Sequence, residues 1–333
     1  MTTEAVRSGR WPFYRQHVDE VVRSMASDLP PAFLVSGELR AALDGGRPIV
    51  ALETSVLAQG LPPPRNVDAA GDLDARVRRE GAVPAWVAVE AGAIRIGLGE
   101  PDLTAFCAPN ARIAKVARRD YPAVLSGGGR GSTTVSATLW AAARLGIEVM
   151  ATGGIGGVHP HTGDVSADLF ELARTPGLVV CSGPKSIVDP AATLERLEEL
   201  GVLVAGYGCN RLPFFLSSDA GLALEHRVDT PEQAAGIARA RRALGVESAV
   251  LLCQPVPSSH ALDRGAVAAA VLECERRAAA AGVTGKAVTP FLLAALAEVT
   301  AGASLEANLA LLGANATLAA RIAVALVTGA GEA

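Results

Sequence analysis

The feature that most constrains this chain is a series of short apolar runs, each closed by a polar or glycine-rich segment and separated from the next by a stretch of helical period. They are Pro48–Leu52, Gly146–Ala151, Gly177–Cys181, Val202–Tyr207 and Ala249–Gln254. Such runs are too short for buried helices and read as strands covered on both faces. Strands alternating with helices predict an α/β protein in α/β/α layers. The helical stretches carry their own boundaries. Ser36 opens a helix that stops at Gly45-Gly46, Asn66–Glu80 is amphipathic and charged, Asp189-Pro190 opens a helix to Leu200, and Thr230 with Gln233 forms a capping box for a helix to Leu244. Val83–Leu98 reads as a hairpin about Glu90-Ala91-Gly92. From Ala266 onward the pattern is largely helical, over Ala266–Ala281, Pro290–Thr300, Leu305–Leu312 and Ala316–Val327. Residues 1–31, with a helix expected over His17–Ser27 and ended by Pro30-Pro31, read as an N-terminal extension; residues 32–330 read as a single domain.

Two of the apolar runs feed Thr152–Asp189, which sets histidines, aspartates and a lysine among glycines. Its polar clusters should lie just beyond the carboxyl ends of strands, where open α/β sheets bind ligands. Glycine there allows positive φ and close backbone approach to a ligand such as a phosphate.

Lysine usage sharpens this reading. Of 30 basic residues only Lys115, Lys185 and Lys286 are lysines. A position that stays lysine in an arginine-rich chain suits a task guanidinium cannot perform, namely losing a proton and attacking a carbonyl as an amine. The alternative for Lys185 is an amine packed for shape. Glu53, at the carboxyl end of Pro48–Leu52, suits general acid or base work; the alternative is a surface glutamate. Lys115, with Arg112, Arg118 and Arg119 in Ala111–Asp120, either holds a phosphate or belongs to a solvated helix face. Ser126–Thr134 (SGGGRGSTT) lacks the lysine of a nucleotide-binding P-loop, but glycine-rich backbone opening a helix toward Leu145 suits an anion.

Composition excludes several classes. A net charge of −4 without a basic run argues against binding nucleic acid. Five scattered cysteines without CxxC spacing suit reduced buried thiols and a cytoplasmic setting. No apolar stretch is expected to approach the roughly 20 residues that span a bilayer, so no membrane partner is expected.

At this point the residues carry a resemblance. The segments VALETSVLAQGLP, VPAWVAVEAGAIRIGL, KVARRD, STTVSAT, TGGIGGVH, DVSADLFELARTP, VCSGPKSIVD, GKAVTPFLL and SLEANLALL, in order from about Phe33 to Ala323, are similar to the pseudouridine-5'-phosphate glycosidase family. The resemblance implies an α/β/α glycosidase-like catalytic domain over 32–330, a homotrimer, a divalent metal (usually Mn2+), and a sugar phosphate with a carbon-linked aglycone as substrate. By position it implies Lys185 as the covalent lysine, Glu53 as the proton donor and Asp164 as the metal-binding residue. Substrate contacts would come from Lys115 on the sugar phosphate, Thr134 and Val135, Ser166, Ala167 and Asp168, and Asn308.

The chemistry fits these residue types. A C-glycosidic bond has no heteroatom leaving group to protonate, so the ordinary two-carboxylate route is a poor one. If Glu53 helps open the furanose and Lys185 adds at C1', the resulting imine serves as an electron sink for breaking or forming the bond to the base carbon. The departures lie in loops. Gln59-Gly60 stands where the family has a histidine-glycine pair, Glu53-Thr54-Ser55 where it has EST, and the loop before Asp164, which carries His161, is shorter. Three readings stay open: a pseudouridine-5'-phosphate glycosidase, a C-glycosynthase joining ribose 5-phosphate to a non-uracil carbon nucleophile such as an aromatic natural product, and a non-catalytic sugar-phosphate-binding protein.

Overall fold

The computed structural model describes residues 32–108, 111–160 and 163–329. The N-terminal extension with its expected helix, and His161, lie outside the described residues. The strands are β1 (Phe33–Val35), β2 (Ile49–Glu53), β3 (Val83–Glu90), β4 (Ala93–Ile96), β5 (Ala114–Val116), β6 (Gly131–Thr133), β7 (Val149–Ala151), β8 (Leu178–Cys181), β9 (Leu203–Tyr207), β10 (His226–Val228) and β11 (Val250–Cys253).

They form a single sheet in the order β1-β4-β3-β2-β7-β8-β11-β9-β10, with β6 attached to β3 and β5 to β6. From β3 to β10 every neighbouring pair along this order is parallel. The β3–β4 hairpin is antiparallel, as expected from Glu90-Ala91-Gly92. Alternate residues of each strand enter opposite cores. Val50, Leu52, Val180 and Leu252 pack with Leu73 and Val77 of helix Arg65–Arg79 and with Leu311 and Ala319 of helix Ala303–Thr328. Ala51, Met150, Val179 and Leu251 pack on the other face with Leu39, Leu139, Leu172 and Leu197. Helices therefore cover both faces of the sheet, which is the α/β/α arrangement the continuous apolar strands require.

The caps are side-chain oxygens at the expected places. Ser36 Oγ accepts from Leu39 N at 3.3 Å, and Asp189 Oδ1 accepts from Ala191 N and Ala192 N at 2.9 and 3.0 Å. Thr230 Oγ1 accepts from Gln233 N at 3.3 Å, but the Gln233 amide oxygen reaches one residue beyond the expected box and accepts from Asp229 N at 2.7 Å.

Three expectations change. Of the two readings kept open for 111–120, the solvated helix face falls: Ala114–Val116 is a strand aligned with Gly131–Thr133, and a 3-10 turn follows at Arg118–Asp120. The glycine-rich segment does not open the next helix directly, because Gly131–Thr133 is drawn into the sheet as β6 and helix Val135–Ala143 starts after it. The C-terminal helices expected on either side of residues 313–315 are one helix, Ala303–Thr328. Gly313 does not break it, because a glycine inside a long packed helix costs only about 1 kcal/mol, and here it leaves room for the Arg76 side chain, whose Nε a Cβ would meet at 2.9 Å. The merged helix is long and apolar enough to cross a membrane, against expectation, but 67% of its apolar window is buried inside the protein, where it serves as the core helix.

Candidate active site

The sheet order brings three strand ends side by side. β2 lies between β3 and β7, and β7 lies between β2 and β8. The chain leaves β2 for β3 on one side and leaves β7 for β8 on the other, so a crevice opens between their carboxyl ends. Glu53 ends β2, Thr152 follows β7, and Ser182-Gly183-Pro184-Lys185 follows β8.

These ends line a cavity whose wall includes Glu53, Lys115, Thr152, Lys185, Phe215 and Asn308. The Glu53 side chain is held by hydroxyls on both oxygens: Thr152 Oγ1 donates to Oε1, and Ser55 Oγ donates to Oε2 at 2.6 Å. Thr54 turns the other way, donating to Val87 O at 2.7 Å and accepting from Thr133 N at 3.0 Å, which ties the end of β2 to β3 and β6. The exchange of EST for Glu53-Thr54-Ser55 therefore keeps a hydroxyl in both places. A π-helical turn, Val56–Gly60, follows at once and is held by Asn66, whose Nδ2 donates to Leu57 O and Cys107 O at 3.1 and 3.0 Å.

Lys185 is fixed at its backbone, N–H donating to Ile155 O at 3.0 Å and carbonyl accepting from Val188 N at 3.1 Å. The glycines around it serve close packing between loops. Gly183 has φ +78°, and a Cβ there would stand 1.9 Å from Pro213 O; a Cβ on Gly154 would meet Phe215 Cδ2 at 2.8 Å and Gly183 O at 2.9 Å. Of the basic cluster in 111–120, Lys115 alone lines the cavity. Arg118 instead donates to Glu171 Oε1 at 2.8 Å and lies 5.3 Å from the Trp140 ring centroid.

Glu53, Lys185, Lys115 and Asn308 are thus brought together, and the remaining expected residues sit outside the cavity wall. Thr134 caps the approach to helix Val135–Ala143 and its hydroxyl is 3.1 Å from Ser136 Oγ. Val135 is 1% exposed in the second core. Ser166 caps helix Ala167–Arg174, with Oγ accepting from Asp168 N at 3.2 Å, and Ala167 is its first residue. Asp168 is buried, and its carboxylate accepts from Ser136 N and Gly156 N at 3.1 and 3.0 Å. This carboxylate joins the first turn of helix Val135–Ala143 to the loop after β7. Asp164 is exposed, and its carbonyl accepts from His159 N at 2.8 Å. Burial holds the His159 imidazole below its ordinary value, an effect opposed by the Asp164 and Glu275 carboxylates and reinforced by Lys115. Among the described residues no group of three or more His, Cys, Asp or Glu side chains forms a metal site, so Asp164 offers a cation a single carboxylate rather than a cage.

Reading residue types missed Thr152, Asn315 and Phe215, and took Gln59 only as a departure from the family pattern. Asn315 is fully buried and donates to Thr152 O at 2.9 Å and to Ser182 Oγ at 3.1 Å, clasping the loops after β7 and β8. An asparagine in the middle of an apolar helix was the available signal. Gln59, at the departure from histidine, accepts from Ser132 Oγ at 2.6 Å and lines the cavity. Phe215 holds φ at +53°, a region bulky residues rarely adopt. A second, larger chamber, walled by Leu61, Leu216, Leu293, Ala297 and Leu305, shares Gln59, Phe215, Leu293 and Asn308 with the first.

Residues 38–325 match the model of the family described as indigoidine synthase A like protein. The chain is 49% identical over 292 residues to a pseudouridine-5'-phosphate glycosidase of Methylobacterium nodulans, covering 87% of this chain and 86% of that one. It is 51% identical over 289 residues to a protein of the same name from Gemmatimonas aurantiaca, covering 86% and 94%. Among solved structures, the prealnumycin C-glycosynthase AlnA in complex with ribulose 5-phosphate superposes with TM-score 0.83 at 35% identity, covering 92% of this chain and all (100%) of that one. An indigoidine synthase A-like protein of Thermotoga maritima gives TM-score 0.83 at 34% identity, covering 90% and 99%.

Proposed function

This chain belongs to the pseudouridine-5'-phosphate glycosidase family, and from that membership we propose that it reversibly cleaves the C–C glycosidic bond of pseudouridine 5'-phosphate, taking up water and yielding uracil and D-ribose 5-phosphate. The observation that carries this is the convergence of Glu53, Lys115, Lys185 and Asn308 on one cavity at the switch point of the sheet. In the proposed route Glu53 supplies a proton to the ring oxygen as the furanose opens. The Lys185 amine bonds to C1' as the C1'–O bond breaks, giving an open-chain amine adduct. Its nitrogen lone pair then forms the C1'=N imine as the C1'–C bond breaks with its electrons going to the base carbon, which takes up a proton. Water hydrolyses the imine to D-ribose 5-phosphate and free Lys185. Lys115 faces the sugar phosphate as a point charge.

A divalent cation, Mn2+, is part of the proposal. With the one Asp164 carboxylate to hold it, a hard ion keeps most of its waters and supplies positive charge to the phosphate. A homotrimer in the cytoplasm completes the proposed setting. The test is incubation with Mn2+ and pseudouridine 5'-phosphate, following free uracil, with Lys185→Ala as control. Uracil release that vanishes in the variant supports the reading, and a folded wild type that releases none sinks it. Trapping with borohydride in the presence of ribose 5-phosphate should add the sugar's mass to Lys185.

One observation favours a second reading. The apolar chamber opening off the cavity has room for an aglycone larger than uracil, which suits synthesis from ribose 5-phosphate and a fused aromatic carbon nucleophile. A C-ribosylated product from a dihydroxynaphthalene, lost in Ala297→Trp while uracil release persists, would establish it.

A further inference from the structure

Glu53 is poorly placed to hand a proton to the sugar directly. It is 4% exposed, and each carboxylate oxygen already faces a hydroxyl. The two hydroxyls differ. Thr152 is 3% exposed, its N–H donates to Val180 O at 3.0 Å, and its carbonyl accepts from Asn315 Nδ2 at 2.9 Å, so its residue is fixed at both ends of the peptide. Ser55 lines the cavity as Thr152 does but is more open, and it stands where the strand gives way to the π-helical turn. Its Oγ lies 2.6 Å from Glu53 Oε2 and has a lone pair and a proton to exchange.

We propose that Ser55 relays the Glu53 proton to the sugar ring oxygen, while Thr152 is the positioning residue that holds the other carboxylate oxygen. The inference rests on the glycosidase reading. In the step, the Glu53 Oε2–H bond breaks as Ser55 Oγ takes that proton. The original Ser55 O–H bond breaks as the ring oxygen takes its proton. The C1'–O bond then cleaves with its electron pair going to that oxygen, and the Lys185 amine bonds to C1'. Serine ends as it began, Glu53 ends as a carboxylate, and the proton shed by the substituted amine returns to Glu53 along the same path.

The relay makes Ser55 a catalytic residue whose hydroxyl, not its shape, matters. Ser55→Ala should lower kcat for uracil release by ~100-fold with KM changed by less than about 3-fold, the low end of what general acid catalysis contributes. Ser55→Thr, which keeps the hydroxyl, should recover kcat to within about 10-fold of wild type. Rates in mixtures of light and heavy water should give a curved proton inventory for wild type, from two protons in flight, and a straight one for Ser55→Ala. Thermal unfolding of each variant reports its fold. A Ser55→Ala kcat within about 3-fold of wild type, or an inventory unchanged by the substitution, overturns the relay while leaving the glycosidase intact. Absence of uracil release from wild type overturns both.

Discussion

The Thr152 hydroxyl at the end of β7 donates to Oε1 of Glu53 at the end of β2, joining residues 99 apart in sequence across the crevice between two parallel strands. The contact exists because β2 and β7 are in register, with Leu52 opposite Ala151. One residue past each partner, the two side chains meet. A carboxylate gripped in this way keeps its direction when the cavity is empty, which is what preorganisation of a proton donor requires.

Thr152→Val removes the donor and keeps the shape. It should lower kcat by about 10-fold with little change in KM, since it loosens Glu53 without touching the sugar phosphate. Steady-state kinetics on pseudouridine 5'-phosphate check this, and a rise in KM at constant kcat would assign Thr152 to substrate binding instead.

Asn315 acts one layer further back. Asn315→Leu leaves the Thr152 carbonyl and the Ser182 hydroxyl without a buried partner, and an unpaired buried group costs about 1–3 kcal/mol. Urea unfolding should show a loss of that size, with kcat reduced as well because the loops carrying Glu53's partner and Lys185 lose their common anchor. Unchanged stability would mean that water or a backbone shift replaces the amide.

How far the sequence reveals this depends on what sets each feature. β2, β7, β8, β9 and β11 are legible because they are apolar runs bounded by turns. β5 and β6 are not, because Ala114–Val116 and Gly131–Thr133 have no apolar period and become strands only where the edge of β3 offers backbone partners. Lys185 and Glu53 stand out because their chemistry is written in the residue type and the strand end. Thr152 and Asn315 do not, because their roles come from contacts 99 and 163 residues distant. Arg118 shows the converse: it looks like part of a phosphate cluster, yet Glu171 and Trp140 claim it.

Stability should carry an acid limb from Glu38. Its carboxylate takes two contacts from the Arg78 guanidinium, whose hydrogen bonding holds it below the ordinary 4.5. A lowered folded value means that the contribution is present above 4.5 and is lost as pH falls through the folded value. Both side chains are nearly half exposed, so solvent screening limits the pair to at most about 1 kcal/mol. Glu38→Gln should cost up to that at neutral pH and progressively less as pH falls below 4.5, measured by urea unfolding across the acid range. A deficit that persists in acid would place the effect in packing.

Thiol labelling should be ordered by burial. Cys107, Cys181, Cys253 and Cys274 are buried, Cys209 is half-buried, and burial pushes the Cys107 thiol up to about 11. Cys209 is raised as well, for the same reason, so even it should react slowly at neutral pH. An aromatic disulfide reagent should label one thiol per native chain before the rest, and Cys209→Ser should abolish that phase. Rapid labelling of several thiols would mean that the β8–β11 region opens readily.

The proposed metal dependence follows from the donor count. Asp164 presents one carboxylate, and the described residues gather no cage around it, so a hard cation there is held through waters and exchanges freely. Dialysis against EDTA should abolish most uracil release while leaving thermal unfolding unchanged, and Mn2+ should restore it. Asp164→Asn should raise the Mn2+ concentration needed for half activity by about 10-fold or more, since losing the ligand should cost no less than losing a group that orients one. Full activity after chelation would show that Lys115 and the backbone hold the phosphate without an ion. Loss of the fold on chelation would place the metal in the structure rather than at the substrate.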